Sequence, residues 1–303
     1  MMNVALIGYG EVGRILAEDL RAGGHAVTAF DVKLGSRAGE PMRAHATERG
    51  VTLAKSHKDA VHRAELVVSA VTADQTVAAA EACAGMLAGG SFFLDLNSAS
   101  PGAKIRAAEC VAGGHGRYVE GAVMTAVTPY RIRVPLLLGG PHALAIEPVL
   151  KTLGFSAKVA SSKLGVASAT KMCRSVMIKG LEAMVIESFT AARHHGVEDA
   201  VVASLGETFP AIDWEKQAAY FFQRVIEHGR RRGEEMLEAA ATVREAGLEP
   251  WAAIGTADRD AWIADLADGG LFGERGHTGF ARSPDWRIEA DRILDHLKAS
   301  TKS

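Results

Sequence analysis

The stretch Val4-Ala5-Leu6-Ile7-Gly8-Tyr9-Gly10-Glu11-Val12-Gly13 decides how the rest of the chain is read. Four apolar residues in a row, closed by glycine, have the length and composition of a strand buried on both faces. The Gly-x-Gly-x-x-Gly spacing follows at once, and Val12–Ala22 after it has helical composition and spacing. Strand, glycine turn and helix in that order form the context in which this spacing marks a dinucleotide-binding turn. Gly8 permits the tight turn, Gly10 lets the backbone approach a diphosphate, and Gly13 lets helix and strand pack closely. The helix N-terminus presents unpaired N–H groups and a positive dipole end to the phosphates. Gly8, Tyr9, Gly10, Glu11, Val12 and Gly13 together are the candidate cofactor cradle.

The same alternation continues along the chain. Ala26–Phe30, Leu66–Ala70 and Phe92–Leu96 read as further buried parallel strands, with a helix over Thr76–Ala88 between two of them. Val119–Met124 and Val134–Leu138 read as two more strands. Such alternation implies right-handed crossovers and a doubly wound, mainly parallel α/β sheet, the Rossmann architecture. Asp31 ends the second strand, where an acid can accept from the adenosine ribose hydroxyls and repel a 2'-phosphate. That favours NAD over NADP; Lys33 and Arg37, close behind, pull the other way. Ligands of open parallel sheets bind beyond the carboxyl ends of the strands, so Val71, Thr72 and Asn97 are candidates for the nicotinamide half.

From about Lys163 the pattern changes. Leu164 to His194 runs roughly 30 residues without proline, about 45 Å if helical. Its apolar residues fall on most faces, so it is expected to be buried nearly all round and to need a partner subunit as cover. The expected organisation is a dinucleotide-binding domain over 1–162 and an all-α domain over 163–303, led by this long interdomain helix and joined into a homodimer.

With these elements placed, the chain resembles the beta-hydroxyacid dehydrogenases, relatives of 6-phosphogluconate dehydrogenase. Gly8–Gly13 with Asp31, then Asp95-Leu96-Asn97-Ser98-Ala99-Ser100-Pro101, carry the resemblance. Glu120-Gly121-Ala122-Val123-Met124-Thr125-Ala126 sits where that family has its substrate loop, Asp-x-Pro-Val-Ser-Gly-Gly. Gly165 to Ser175 sits where it has its catalytic helix, Gly-x-Gly-x-x-x-Lys-x-x-x-Asn. The resemblance implies an NAD(P)-dependent oxidoreductase acting on a small hydroxyacid-like molecule, with Lys171 as general acid/base and Ser175 beside it. It also points to Met124, Thr125 and Ala126 as substrate-contacting residues. These replace Ser-Gly-Gly, and Ser175 replaces asparagine, so the chain is similar to a divergent branch of unassigned substrate.

The residues allow this chemistry on their own terms. A lysine in an apolar stretch is pushed toward a neutral pKa by desolvation and can then exchange protons. A lysine snorkelling to solvent explains the same residue. His228, Arg231, Arg232 and Glu235 are spaced to share a helical face, where Arg231 or Arg232 could clamp a carboxylate or phosphate; a solvated charged face is the alternative. An imine reductase of the same architecture, or a non-catalytic NAD-binding sensor, stays open as another function. An imine reductase commonly has another residue at the lysine position.

Composition narrows the remaining classes. The chain has 303 residues, 48% hydrophobic and 23% charged, with a net charge of -2, so no overall basic field favours nucleic acid or an anionic membrane. Three scattered cysteines show no zinc or disulfide spacing, and no metal site stands out. No apolar run approaches the roughly 18 residues that span a bilayer, and nothing resembles a targeting segment, so a cytoplasmic protein is expected.

Overall fold

The computed structural model describes residues 1–281 and 283–300, which divide into two compact units, Met1–Met172 and Cys173–Ser303. In the first unit the strands are β1 (Asn3–Ile7), β2 (Ala26–Phe30), β3 (Thr52–Leu53), β4 (Leu66–Ser69), β5 (Phe92–Asp95), β6 (Arg117–Val123), β7 (Leu136–Gly139) and β8 (Ala157–Ser161). The helices between them are α1 (Glu11–Ala22), α2 (Glu40–Arg49), α3 (His57–Val61), α4 (Thr76–Ala84), α5 (Pro101–Gly113), α6 (Val127–Tyr130) and α7 (Ala143–Thr152).

The strands form one sheet in the order β3-β2-β1-β4-β5-β6-β7-β8, parallel throughout except for the antiparallel pair β6–β7. Period-two geometry explains the apolar run in β1: Val4 and Leu6 join one hydrophobic cluster, Ala5 and Ile7 the other. Both faces of the sheet are therefore covered, as a doubly wound fold requires. The order of strands reverses between β1 and β4, which puts the crevice for a ligand at their carboxyl ends.

Several boundaries differ from expectation for local reasons. Helix α4 stops at Ala84 because Gly85 caps it, not at Ala88. The strand expected over Val134–Leu138 starts two residues later and runs against its neighbour, since the segment Val127–Arg133 turns the chain back. The division between units falls inside the long helix, not at Ser162. Its first turn is held to β6, whose buried Glu120 accepts the Ala167 N–H at 3.0 Å and the Ser168 hydroxyl at 2.8 Å.

That helix, α8, runs Val166–His195 and is followed by α9 (Glu198–Thr208), α10 (Trp214–Glu245), α11 (Trp251–Asp268) and α12 (Trp286–Ser300). The second unit packs around Phe189, Phe222, Ile226, Ile263 and Trp286. Helices α10 and α11 approach closely at Gly229, where a Cβ would lie 2.5 Å from the Asp260 carbonyl oxygen. Within the single chain α8 is not covered all round: Met177 is 72% and Met184 62% exposed, and Ile178 is exposed with them. Its polar residues Ser168, Ser175, Lys179 and Glu182 are instead buried. Among the described residues no helix is long and apolar enough to cross a membrane.

Candidate active site

Each glycine of the first turn has a distinct physical task. Gly8 sits at φ +93°, and a Cβ there would lie 2.3 Å from the Ala70 carbonyl oxygen at the end of β4. A Cβ on Gly13 would lie 2.2 Å from the Gly8 carbonyl oxygen, so helix α1 and β1 approach as closely as backbone allows. Gly10 is the opposite case: nothing lies within 4 Å of where its Cβ would stand. That open space in front of the N-terminus of α1 is a cradle that any side chain would fill, and it fits a dinucleotide diphosphate. Tyr9 lies buried beneath the turn, sharing a 2.8 Å hydrogen bond with His45, and burial pushes its hydroxyl up to about 12. Val12 packs partly buried against the sheet core, while Glu11 is exposed.

Asp31 closes β2 and is committed on both oxygens, accepting the Tyr9 N–H and the Lys33 N–H, each at 2.9 Å. Its carboxylate is thus fixed beside the glycine turn. On the other side, Val71 and Thr72 follow β4, and the Val71 N–H donates to the Asn97 side-chain oxygen at 2.7 Å. The Asn97 amide donates to Ser69 Oγ at 3.1 Å, so this side chain ties the ends of β4 and β5 together and is nearly sealed from solvent. Ser98 comes next, and its hydroxyl accepts a hydrogen bond from Lys171 Nζ at 2.6 Å. The carboxyl edge of the sheet therefore carries an unbroken chain of contacts from Gly8 through Ala70, Val71, Asn97 and Ser98 to Lys171.

What holds this edge was missed by sequence reasoning. Asp95 is fully buried at the end of β5, and Lys104 of α5, itself almost inaccessible, pairs with it at 2.8 Å and also donates to its carbonyl at 3.0 Å. The Tyr118 hydroxyl donates to Asp95 at 2.7 Å, and the Asn97 N–H does so at 2.9 Å. Burial holds the Tyr118 hydroxyl well above its usual range, so it stays a neutral donor. An alternation of charged and apolar residues in α5 gave no sign of this; only the helix–sheet packing turns Lys104 inward.

The other expected residues divide. Ser175 is buried one turn beyond Lys171 on α8. Met124 is half-buried and its N–H is taken by Pro135, while Thr125 and Ala126 are exposed. Arg231 and Arg232 do not share a face, because consecutive helical residues diverge by about 100°. Arg231 is 61% exposed and donates to Glu235 at 2.6 Å, whereas Arg232 is 3% exposed and paired with Glu182. His228 is half-buried beside Glu227.

Arg232 belongs to a buried charge cluster in the second unit. Lys179 pairs with Glu235 at 2.5 Å, and burial lowers the lysine's pKa. Asp260 is fully buried with neither carboxylate oxygen hydrogen-bonded. Glu182 and Glu235 already have cationic partners in Arg232 and Lys179, whereas among the described residues no ion pair or hydrogen bond reaches Asp260. Burial pushes its carboxyl up to about 6, against the attraction of Arg232 and Lys179. The folded state therefore binds this proton more tightly than the unfolded chain. The resulting penalty is absent below the usual carboxylate range, builds up to about pH 6, and is complete above it. Asp260→Asn is expected to stabilise the protein by about 2–3 kcal/mol at pH 7.5 and to be neutral near pH 4. Urea unfolding at both pH values checks this; equal effects at both would refute it. Among the described residues no group of three or more His, Cys, Asp or Glu could hold a metal ion.

Known proteins share this fold. Residues 192–263 match a domain of unknown function (DUF1932). A conserved hypothetical protein from Sinorhizobium meliloti 1021 is 34% identical, with a TM-score of 0.77 over 97% of this chain and 96% of that one. The 3-hydroxyisobutyrate dehydrogenase of Mycobacterium tuberculosis shares the fold at 16% identity, with a TM-score of 0.71 over 97% of this chain and 99% of its own. That of Pseudomonas aeruginosa is 24% identical over 221 residues, 71% of this chain and 72% of the relative. Residues 3–159, which contain the cradle, Asp31 and the whole sheet but its last two residues, match the NAD binding domain of 6-phosphogluconate dehydrogenase. The chain therefore belongs to that family of nicotinamide-dependent proteins, as a divergent, beta-hydroxyacid-dehydrogenase-like member.

Proposed function

We propose that the protein is an NAD-dependent dehydrogenase or reductase interconverting a hydroxyl and a carbonyl on a small hydroxyacid-like substrate, with Lys171 as its acid/base. The observation that carries the reading is the 2.6 Å hydrogen bond from Lys171 Nζ to Ser98, on the same sheet edge that begins at the open Gly10 cradle. When bound, the nicotinamide accepts or supplies the hydride. Lys171 as a free amine takes the hydroxyl proton, and as an ammonium it polarises the carbonyl for the reverse reaction. Ser98 holds the amine in place, and Ser175 supports it from one turn along the helix. Gly8 to Gly13 hold the diphosphate through backbone N–H groups, with Val71, Thr72 and Asn97 toward the nicotinamide. Met124, Thr125 and Ala126 meet the substrate.

A preference for NAD rests on the Asp31 carboxylate, held rigidly by two N–H donors beside the cradle, where a 2'-phosphate would meet its charge. Lys33 and Arg37 lie beyond it in sequence. An acidic substrate belongs to the same reading; the Arg231 guanidinium is itself taken by Glu235. The exposed Met177, Ile178 and Met184 are the face on which a second copy would complete a homodimer in the cytoplasm.

Titration calorimetry with NADH and NADPH, paired with a hydroxyacid turnover screen and sedimentation at micromolar concentration, tests the reading. The expected result is a dimer that binds NADH at least about tenfold more tightly than NADPH, since ribose recognition of this kind is worth roughly 1–2 kcal/mol. Tighter NADPH binding would reverse the cofactor assignment, a monomer would remove the dimer, and binding of neither nucleotide would remove the function.

A further inference from the structure

The segment that follows the candidate substrate loop is fastened along helix α1 of the same unit, more than 110 residues away in sequence. Glu11, Glu18 and Asp19 are seven and eight residues apart and so share one face of α1. Each receives a donor from this segment. Arg131 reaches Glu18 at 2.6 Å and Asp19 at 2.9 Å, and the Ile132 N–H donates to Asp19 at 3.0 Å. At the other end, the Thr128 hydroxyl donates to Glu11 Oε1 at 2.8 Å. Arg131 adopts φ +54°, a conformation a non-glycine residue holds only where its surroundings impose it. Its side chain is paired there with both carboxylates. Glu18 also accepts from His45, which bonds Tyr9, so the anchored end reaches the buried support of the glycine turn.

Glu11 is the first residue of α1 and directly follows the open Gly10 cradle. A carboxylate there suits the empty helix N-terminus but competes with an anion at the same N–H groups. We infer that Thr128 is a positioning residue for dinucleotide binding: anchored through Arg131, its hydroxyl holds the Glu11 carboxylate aside from the diphosphate cradle. The grip also ties the position of the Met124–Ala126 loop to occupancy of the cradle, since only Val127 separates that loop from Thr128. The inference rests on reading the cradle as a dinucleotide site.

The experiment is a double-mutant cycle read as NADH affinity by calorimetry, on full-length protein. Thr128→Val, which keeps shape and loses the donor, is expected to weaken NADH binding about three- to tenfold, and Thr128→Ser to restore it. Glu11→Gln is expected to bind NADH at least as tightly as wild type. In the Glu11→Gln background, Thr128→Val should have no further effect, with melting temperatures close to wild type throughout. An unchanged affinity in Thr128→Val, or an equal loss with and without the Glu11 carboxylate, overturns the positioning role. Failure of the wild-type protein to bind NADH overturns the parent reading instead, and the two failures are told apart by that control.

Discussion

Lys171→Ala is expected to lower kcat about 10³-fold while leaving NADH affinity within about twofold of wild type. The amine lies on helix α8 against Ser98, whereas the nucleotide cradle is built from backbone of the β1–α1 turn, so the two functions are separable by substitution. General acid/base catalysis by one positioned group is worth about 10²–10⁴, which sets the size of the loss. Lys171→Arg sharpens the test. An arginine keeps the positive charge and can still reach Ser98, but it does not release its proton at accessible pH. Both variants should therefore be defective in oxidation, and arginine should recover part of the reductive direction, where a fixed cation still polarises the carbonyl. Steady-state rates on whichever hydroxyacid the wild type turns over, with a parallel NADH titration, supply the readout. A Lys171→Ala enzyme with wild-type kcat would sink the assignment of the base; loss of NADH binding together with rate would point to a folding defect.

Lys104→Ala carries the largest expected cost in stability. Asp95 has no solvent exposure, and Lys104 is the cation beside it. Removing one partner of a buried pair strands the other charge, typically at about 3–5 kcal/mol. For a unit of this size that corresponds to a fall of about 10–15 °C in melting temperature. The pair itself is not required for a stable core, because taking out both charges relieves the stranding. Lys104→Met with Asp95→Asn should therefore recover much of the loss, the asparagine oxygen accepting from the Asn97 backbone and its NH2 donating to the Tyr118 hydroxyl. A melting temperature within about 2 °C of wild type in Lys104→Ala would show that the aspartate finds another partner. The functional consequence follows from position: Asp95 fixes the Asn97 N–H, Asn97 fixes Val71, and Ser98 meets Lys171. A partially folded Lys104 variant should accordingly lose kcat before it loses NADH binding.

The cofactor half of the candidate site was legible in the sequence because its requirements are local. Only glycine serves at Gly8 and Gly13, where a single added carbon would strike backbone, and only glycine leaves the space over Gly10 open. The strand–turn–helix order around these three positions lies within about twenty residues, so neighbours in sequence suffice to read it. Asp31, likewise, is one crossover away and sits at a strand end by simple counting. Lys171 became a candidate through resemblance, not periodicity, since a lysine in an apolar helix reads equally well as one that snorkels to solvent.

Local sequence pattern is enough for the alternation of strands and helices, the dinucleotide turn and the passage to an all-helical second half. Each follows from side-chain period and backbone freedom, which act over a few residues. Which charged residues turn inward depends on packing between elements. Lys104 and Asp260 look like ordinary surface charges in their own helices, and Arg231 and Arg232 look alike; burial separates them, because it depends on what another element brings against each face. The same holds for the grip of Thr128 on Glu11 and of Arg131 on Glu18 and Asp19. Hydrogen bonds and ion pairs between residues more than a hundred positions apart leave no local pattern, since their energy depends on distance in space and not on spacing along the chain.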